Sequence, residues 1–184
     1  MRKNQASVLG SLRENADILV NIGTGSQVSA VVSAPVPFPA GAVRPYVDGK
    51  FLLAGSPLCG GRAYALLHRF FARCAELFGG DGRDIYTVMN DMAAEQPEDH
   101  SLTVDTRFCG TRNDPALRGA LSEISEDNFT PEQLTRGVLW GMADELHELY
   151  RQMPLSAPAA GLVGSGNGIR KNPVLRQYLE EQFG

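Results

Sequence analysis

The stretch Asp17-Ile-Leu-Val-Asn-Ile-Gly-Thr-Gly-Ser-Gln-Val-Ser-Ala-Val-Val32 decides the reading of this chain. Asp17 to Ile22 reads as a buried strand, Gly23-Thr24-Gly25 breaks it, and Gln27 to Val32 reads as its partner. The three together spell a β-hairpin. At its tip, Asn21-Ile-Gly-Thr-Gly-Ser26 sets a hydroxyl residue between two glycines. Backbone N–H groups and an Oγ then converge on one point, a concave array of donors that suits phosphate oxygens without a side-chain charge. An ordinary tight turn asks for the same residues, so the hairpin alone does not establish a ligand.

Outward from the hairpin, Ser33 to Gly41 holds Pro35, Pro37 and Pro39 and is a loop. Arg44 to Val47, Asp48-Gly49 and Lys50 to Leu53 form a second hairpin with an Asp-Gly turn. Ala54 to Gly61 leads into a helix over Arg62 to Phe78, with Leu66, Leu67, Phe70, Phe71, Cys74, Leu77 and Phe78 as its apolar face. Asp84 to Ala94 is a short helix, Glu95 to Asp105 a polar, exposed stretch, and Phe108 to Asp114 a turn region. Leu117 to Ile124 reads as a strand, and Ser125 to Asn128 as the loop after it. Thr130 as N-cap, Pro131 in the first turn and Gln133 closing a capping box open the longest helix, which stops before Pro154. Ala160 to Gly164 is a short strand, Ser165 to Lys171 a glycine-rich loop, and Asn172 to Phe183 a closing helix. Upstream, Gln5 to Arg13 has the spacing of a short helix. Hairpins followed by helices alternating with strands make a mixed α/β lobe.

The chain has 184 residues, 43% of them apolar and 21% charged, with a formal net charge of −4. Those values fit a folded domain and argue against pervasive disorder. The mildly acidic balance gives no support to nucleic-acid binding as the main task, since that work usually shows a basic surplus or stripe. No apolar run approaches the ~20 residues of a membrane helix, and the basic N-terminus lacks the apolar stretch of a signal peptide, which points to the cytoplasm. Cys59, Cys74 and Cys109 have neither the parity of a disulfide framework nor zinc-ligand spacing.

Two further glycine clusters matter. Gly164-Ser-Gly-Asn-Gly-Ile-Arg-Lys-Asn172 lies between a strand and a helix, where glycines let the backbone approach a ligand and the helix N-terminus adds positive partial charge. Arg170 and Lys171 stand there against the macrodipole, as they would beside an anion. The stretch is neither a Walker loop nor a dinucleotide fingerprint, and a solvated basic connection fits it equally well. Gly55-Ser-Pro-Leu-Cys-Gly-Gly61 precedes a long helix; locally, Gly60 and Gly61 read as a flexible helix entry. His68 reads as a core-edge residue, while His100 and His147 lack partners at metal-ligand spacing. Cys59 reads as a packed thiol, neither Ser26 nor Ser165 sits in a nucleophile elbow, and Asp144, Glu145 and Glu148 read as a solvated helix face.

In order along the chain, these segments resemble the C-terminal lobe of the FGGY carbohydrate kinases, a family within the superfamily of sugar kinases, actin and heat-shock chaperone ATPases. Asn4-Gln-Ala-Ser7 resembles the family's GD[NQ]Q-A segment, and Asn21 to Gly25 its second phosphate motif. Leu53-Ala-Gly-Ser56 with Gly60-Gly61 resembles its strand-to-helix step. Gly110-Thr-Arg112 with Leu117-Arg-Gly119 resembles the G-x-R…ARG stretch, Thr135 to Met142 the A-x-xEG helix, and Gly164 to Asn172 the adenosine motif. Within the family, the Gly164 to Pro173 stretch is most similar to sedoheptulokinase-like members.

The resemblance implies a ribonuclease H-like (actin-like ATPase) lobe, a mixed sheet with flanking helices, incomplete at the C-terminus. It implies that Gly23, Thr24 and Gly25 hold the β- and γ-phosphates of ATP. Gly164, Ser165 and Gly166 would lie against the adenosine, Asn172 near its outer edge, and Gly55 would line the cleft. The implied chemistry is Mg2+-dependent transfer of the ATP γ-phosphate to a sugar hydroxyl, a ketose such as sedoheptulose, with a carboxylate base taking the hydroxyl proton. In this sequence the position of that base is Lys3, which cannot act as an ionised acceptor at neutral pH, so no catalytic residue and no metal ligand is assigned. The first phosphate loop and the sugar pocket belong to an N-terminal lobe for which residues 1–184 have no counterpart. The chain is therefore expected to be a truncated nucleotide-binding lobe, inactive alone, that meets ATP or ADP directly and sugar only through the missing lobe. A non-catalytic nucleotide-binding or partner module of the same fold, or a phosphatase of the superfamily, stands as the alternative.

Overall fold

A computed structural model describes residues 17–80 and 82–184, so the helix expected at Gln5 to Arg13 lies outside the described residues. The hairpin opens the fold: β1 (Asp17–Ile22) and β2 (Ser26–Val32) pair antiparallel with Ile22 opposite Ser26. The second hairpin is β3 (Ala42–Pro45) and β4 (Phe51–Gly55). Asp48 and Gly49, at φ 54° and 71°, take the two left-handed conformations that the tightest hairpin turns require. β4 then pairs antiparallel with β2, and a last strand, β7 (Gly161–Ser165), lies parallel to β1. The resulting mixed sheet has the order β3-β4-β2-β1-β7.

Alternation along these strands sorts the core. Ile18, Val20, Ile22, Val28, Ala30 and Leu53 face the helices, while Leu19, Val31 and Leu52 form a smaller cluster. The helices are α1 (Arg62–Phe78), α2 (Ile85–Glu95), α3 (Pro131–Arg151), α4 (Asn167–Lys171) and α5 (Pro173–Phe183). α3 is the central buttress, burying Val138, Leu139, Met142, Ala143 and Leu146 at helical spacing. Its N-cap is Thr130, which accepts a hydrogen bond from Gln133 N, a contact worth about 1 kcal/mol. The reciprocal half of the expected capping box does not form. Thr130 N instead donates to Asn128 O, and Gln133 Oε1 is buried with no partner among the described residues.

Several other segments differ from their sequence reading; the Ser165 to Lys171 loop, for one, holds the short helix α4. The Glu95 to Asp105 stretch is not simply polar and exposed: it contains β5 (Thr103–Asp105), and Leu102 and Val104 are buried. Gly137 and Gly141 on α3 admit it, since a Cβ at either would strike the carbonyls of Leu102 or Val104. The strand expected over Leu117 to Ile124 shrinks to β6 (Ala120–Ser122), exposed and, among the described residues, paired with β5 alone. On α1, Ala63 and Leu67 are buried and Phe71 packs against the core, but Leu66, Phe70, Leu77 and Phe78 are exposed, the last two by 78% and 85%. The apolar arc of this helix is wider than the surface its neighbours cover, and its last turn runs past them. Finally, the acidic face of α3 is only partly solvated: Asp144 and Glu148 are exposed, while Glu145 is half-buried and accepts from Thr106 Oγ1 at 3.1 Å.

Candidate nucleotide site

β1 and β7 are parallel, so Ile22 and Ser165 end side by side at the carboxyl edge of the sheet. In open α/β sheets the crevice outside such strand ends is where ligands bind. Asn21 Nδ2 donates to Ser165 Oγ at 2.7 Å and ties the two ends together. The Gly23-Thr24-Gly25 turn protrudes here, closed by Gly23 N donating to Gly25 O at 2.8 Å, with Thr24 and Gly25 exposed.

The two other glycine clusters close on this turn. Gly60, at φ 51°, lies where a Cβ would be 2.6 Å from Ser26 N, and a Cβ on Gly61 would be 1.9 Å from Gly23 O. The pair is thus no flexible entry: it docks the N-terminus of α1 backbone-to-backbone on the hairpin. On the other side Gly166, at φ 94°, and Gly168 pack against Ile22, with Cβ approaches of 2.2 Å and 2.6 Å. Gly25 differs, since a Cβ there meets nothing within 4 Å. Glycines that hold the site together and a glycine that leaves space open are distinguished in this way.

Between these segments lies a cleft of about 840 Å³. Ile22, Leu139, Met142 and Leu175 supply apolar wall, and Gly23 and Thr24 stand at one end beside Gly61 and Arg62. Tyr64, Ala65, Asp84, Tyr86, Thr87, Asn90, Asn167, Gly168, Lys171 and Asn172 complete the lining. The positive end of α1 thereby meets the hairpin, a combination that suits an anion. Lys171 lines the cleft with no ion-pair partner among the described residues. It and Arg170 sit in the last turn of α4, not at a helix start, so they run with that helix's dipole. Arg62 turns its guanidinium to Leu58 O.

The deep wall of the cleft is a hydrogen-bonded row. Asn172 is buried and caps α5, its Oδ1 accepting from Leu175 N at 2.9 Å. Its Nδ2 donates to Asn90 Oδ1 at 2.9 Å, and Tyr64 Oη donates to the same oxygen at 2.8 Å. Burial pushes the Tyr64 phenol up, against the opposing pull of the Asn172 amide. Tyr86 stands 6.0 Å from Tyr64, ring centre to ring centre, and stacks on His68 at 4.0 Å, which accounts for His68. Asp84 caps α2 by accepting from Thr87 N and Oγ1, and the Thr87 hydroxyl first of all holds its carboxyl below the ordinary range.

Of the residues singled out from sequence, Gly23, Thr24 and Asn172 line the cleft directly, and Gly25 completes the turn. Gly164, Ser165 and Gly166 lie just behind it, the lining passing instead to Asn167 and Gly168. Gly55 does not reach it: it ends β4 opposite Val28, where an added Cβ would crowd Leu149 at 3.1 Å and Val28 at 3.3 Å. Sequence reasoning singled out neither Tyr64 nor Asn90, whereas Lys171, read there as standing beside an anion, does line the cleft. No local signal marks Asn90, whose partners come from other helices. Lys3 and the Asn4 to Ser7 segment lie outside the described residues. Among the described residues no group of three or more His, Cys, Asp or Glu could hold a metal ion, and no helix is long and apolar enough to cross a membrane.

Comparison with known proteins decides the family. The profile of the FGGY family of carbohydrate kinases, C-terminal domain, matches residues 18–182. The chain belongs to that family. Among curated proteins, this FGGY domain is 30% identical over 191 residues to a sedoheptulokinase of Mus musculus, covering 97% of the chain and 40% of that protein. It therefore spans less than half of the relative's length. Among solved structures, the xylulose kinase of Bifidobacterium adolescentis superposes with a TM-score of 0.75 at 21% identity, over 94% of this chain and 33% of that one. The glycerol kinase of Plasmodium falciparum with ADP gives 0.68 at 17% identity, over 96% of this chain and 36% of that one. These neighbours share the actin-like ATPase fold with the FGGY domain.

Proposed function

We propose that this chain is the ATP-binding portion of a carbohydrate kinase, in which the Gly23-Thr24-Gly25 turn holds the β- and γ-phosphates and the cleft toward Asn172 holds the adenosine. The single observation carrying this assignment is convergence: three glycine segments far apart in sequence meet at the carboxyl ends of β1 and β7, around one cleft with an anion-attracting end. With no metal-ligating cluster among the described residues, Mg2+ would arrive on the nucleotide's phosphates, where it supplies charge neutralisation for phosphoryl transfer. Gly23, Gly25 and the α1 N-terminus position the phosphates, and the apolar wall excludes water from the base.

The parent reaction would move the γ-phosphate of ATP to the hydroxyl of a ketose in the cytoplasm. Similarity to a protein named sedoheptulokinase over 97% of the chain supports that substrate class. By itself the chain binds nucleotide without transferring phosphate, because Lys3 occupies the position where the family resemblance puts the carboxylate base. The test is an amide NMR titration with ADP. Shifts at Gly23 to Gly25 and Gly164 to Gly168 are expected, and their absence at millimolar nucleotide would sink the assignment. Phosphorylation of sedoheptulose by the isolated chain would overturn the claim of inactivity.

A further inference from the structure

The cap of α5 dictates which end of a neighbouring amide faces the cleft. Asn172 must present its oxygen to Leu175 N, since a backbone N–H can only donate. Its NH2 is then the end that meets Asn90 at 2.9 Å, so the Asn90 atom receiving it must be Oδ1. Tyr64 Oη donates to that same oxygen. Both lone pairs of Asn90 Oδ1 are thereby occupied, and the carboxamide cannot flip without setting NH2 against NH2. Asn90 Nδ2, by contrast, has no acceptor among the described residues. Asn90 is half-buried in α2 and lines the cleft. Asn172 itself has both ends of its amide engaged, so the wall's unspent donor lies on Asn90.

We propose that Asn90 Nδ2 is a specificity-determining donor that reads a ring-nitrogen acceptor of the bound adenine, its polarity fixed through Tyr64 and Asn172 by the cap of α5. A fixed N–H donor matches the unprotonated ring nitrogens of adenine and leaves a carbon–hydrogen edge unsatisfied. The proposal rests on the assignment of the cleft to a nucleotide. Tyr64 and Asn172 act as positioning residues that keep Asn90 Oδ1 turned away from the ligand.

The experiment measures ADP, its 1-, 3- and 7-deaza analogues, and inorganic tripolyphosphate by calorimetry on the whole chain and on Asn90→Leu. For ADP, a roughly three- to tenfold loss of affinity is expected on Asn90→Leu, the size of one hydrogen bond, with tripolyphosphate binding unchanged. One deaza analogue should bind the unaltered chain as weakly as ADP binds the variant, and lose nothing further on it. Equal ADP affinity for both chains, or identical losses for all three analogues on both, overturns the proposal. If neither ADP nor tripolyphosphate binds the unaltered chain, the nucleotide assignment itself fails. Should Asn90→Leu not fold, Tyr64→Phe serves: freeing the amide to rotate should cost about two- to threefold in ADP affinity and lower discrimination against the same analogue. Unchanged discrimination in Tyr64→Phe overturns the proposed lock.

Discussion

Gly61 stands against the carbonyl of Gly23 with no room for a methyl group between them; an added Cβ would lie 1.9 Å from that oxygen. Neither partner is a flexible side chain, so the contact cannot relax locally. Gly61→Ala must move either the start of α1 or the Gly23-Thr24-Gly25 turn. A destabilisation of about 2 kcal/mol or more is expected, together with weaker ADP binding. Urea unfolding and calorimetry on the same preparation check both.

Gly25 gives the opposite case. Its added methyl would meet open space, and its backbone is not in the left-handed region. Gly25→Ala should leave stability within about 0.5 kcal/mol of the unaltered chain and, on the proposed assignment of the turn to phosphates, still reduce ADP affinity by filling space the glycine leaves open. A variant that binds ADP normally would show that the turn faces solvent rather than ligand.

Asn172 has two separable tasks. Asn172→Ala removes the cap of α5 and should cost about 1 kcal/mol. Asn172→Asp keeps an acceptor for Leu175 N while removing the donor to Asn90. The aspartate variant is therefore expected to be the more stable of the two in urea, and both should lose ADP affinity.

Glu145 sets a pH signature. Burial first of all raises its pKa above the ordinary 4.5, against the hydrogen bond from Thr106. Between those two values the folded chain holds a proton the unfolded chain has released, so this group lowers stability as pH rises through the interval. Glu145→Gln keeps the acceptor for Thr106 and should raise the melting temperature at pH 7, the difference closing below pH 4.5. A difference of the same size at both pH values would assign the effect to packing instead.

Cys59 is buried, and burial with the neighbouring Cys109 thiol pushes it up to about 12. Thiolate is the reactive form. Ellman's reagent should therefore modify exposed Cys109 readily and leave Cys59 until the chain is unfolded. Early labelling of Cys59, located by peptide mass mapping, would contradict its packing.

Both hairpins were legible from residues alone because their signals are local: strand alternation and Gly or Asp-Gly at the turns. The long α3 was legible through Thr130 and Pro131 for the same reason. The burial of Leu102 and Val104 was not, since it depends on Gly137 and Gly141 more than 30 residues on, which let a strand approach a helix backbone. α1 misled in the other direction, as hydrophobicity marks which residues could be covered and not whether anything covers them. Within the cleft, the glycine segments announced themselves, but Asn90 did not. Its role follows from Tyr64, 26 residues before it, and Asn172, 82 residues after it.

The parallel pairing of β1 with β7 also orders events in time. β1 and β2 can pair as soon as a short hairpin is made, whereas the bond from Asn21 to Ser165 spans 144 residues. Such distant pairings close slowly because the intervening chain must first be gathered in. During synthesis the outer edge of β1 waits for β7, an unpaired edge of the kind that recruits other strands. The hairpin at the carboxyl end of β1 is thus made early, and the far wall of the cleft beside it, Asn167 to Asn172, joins it late.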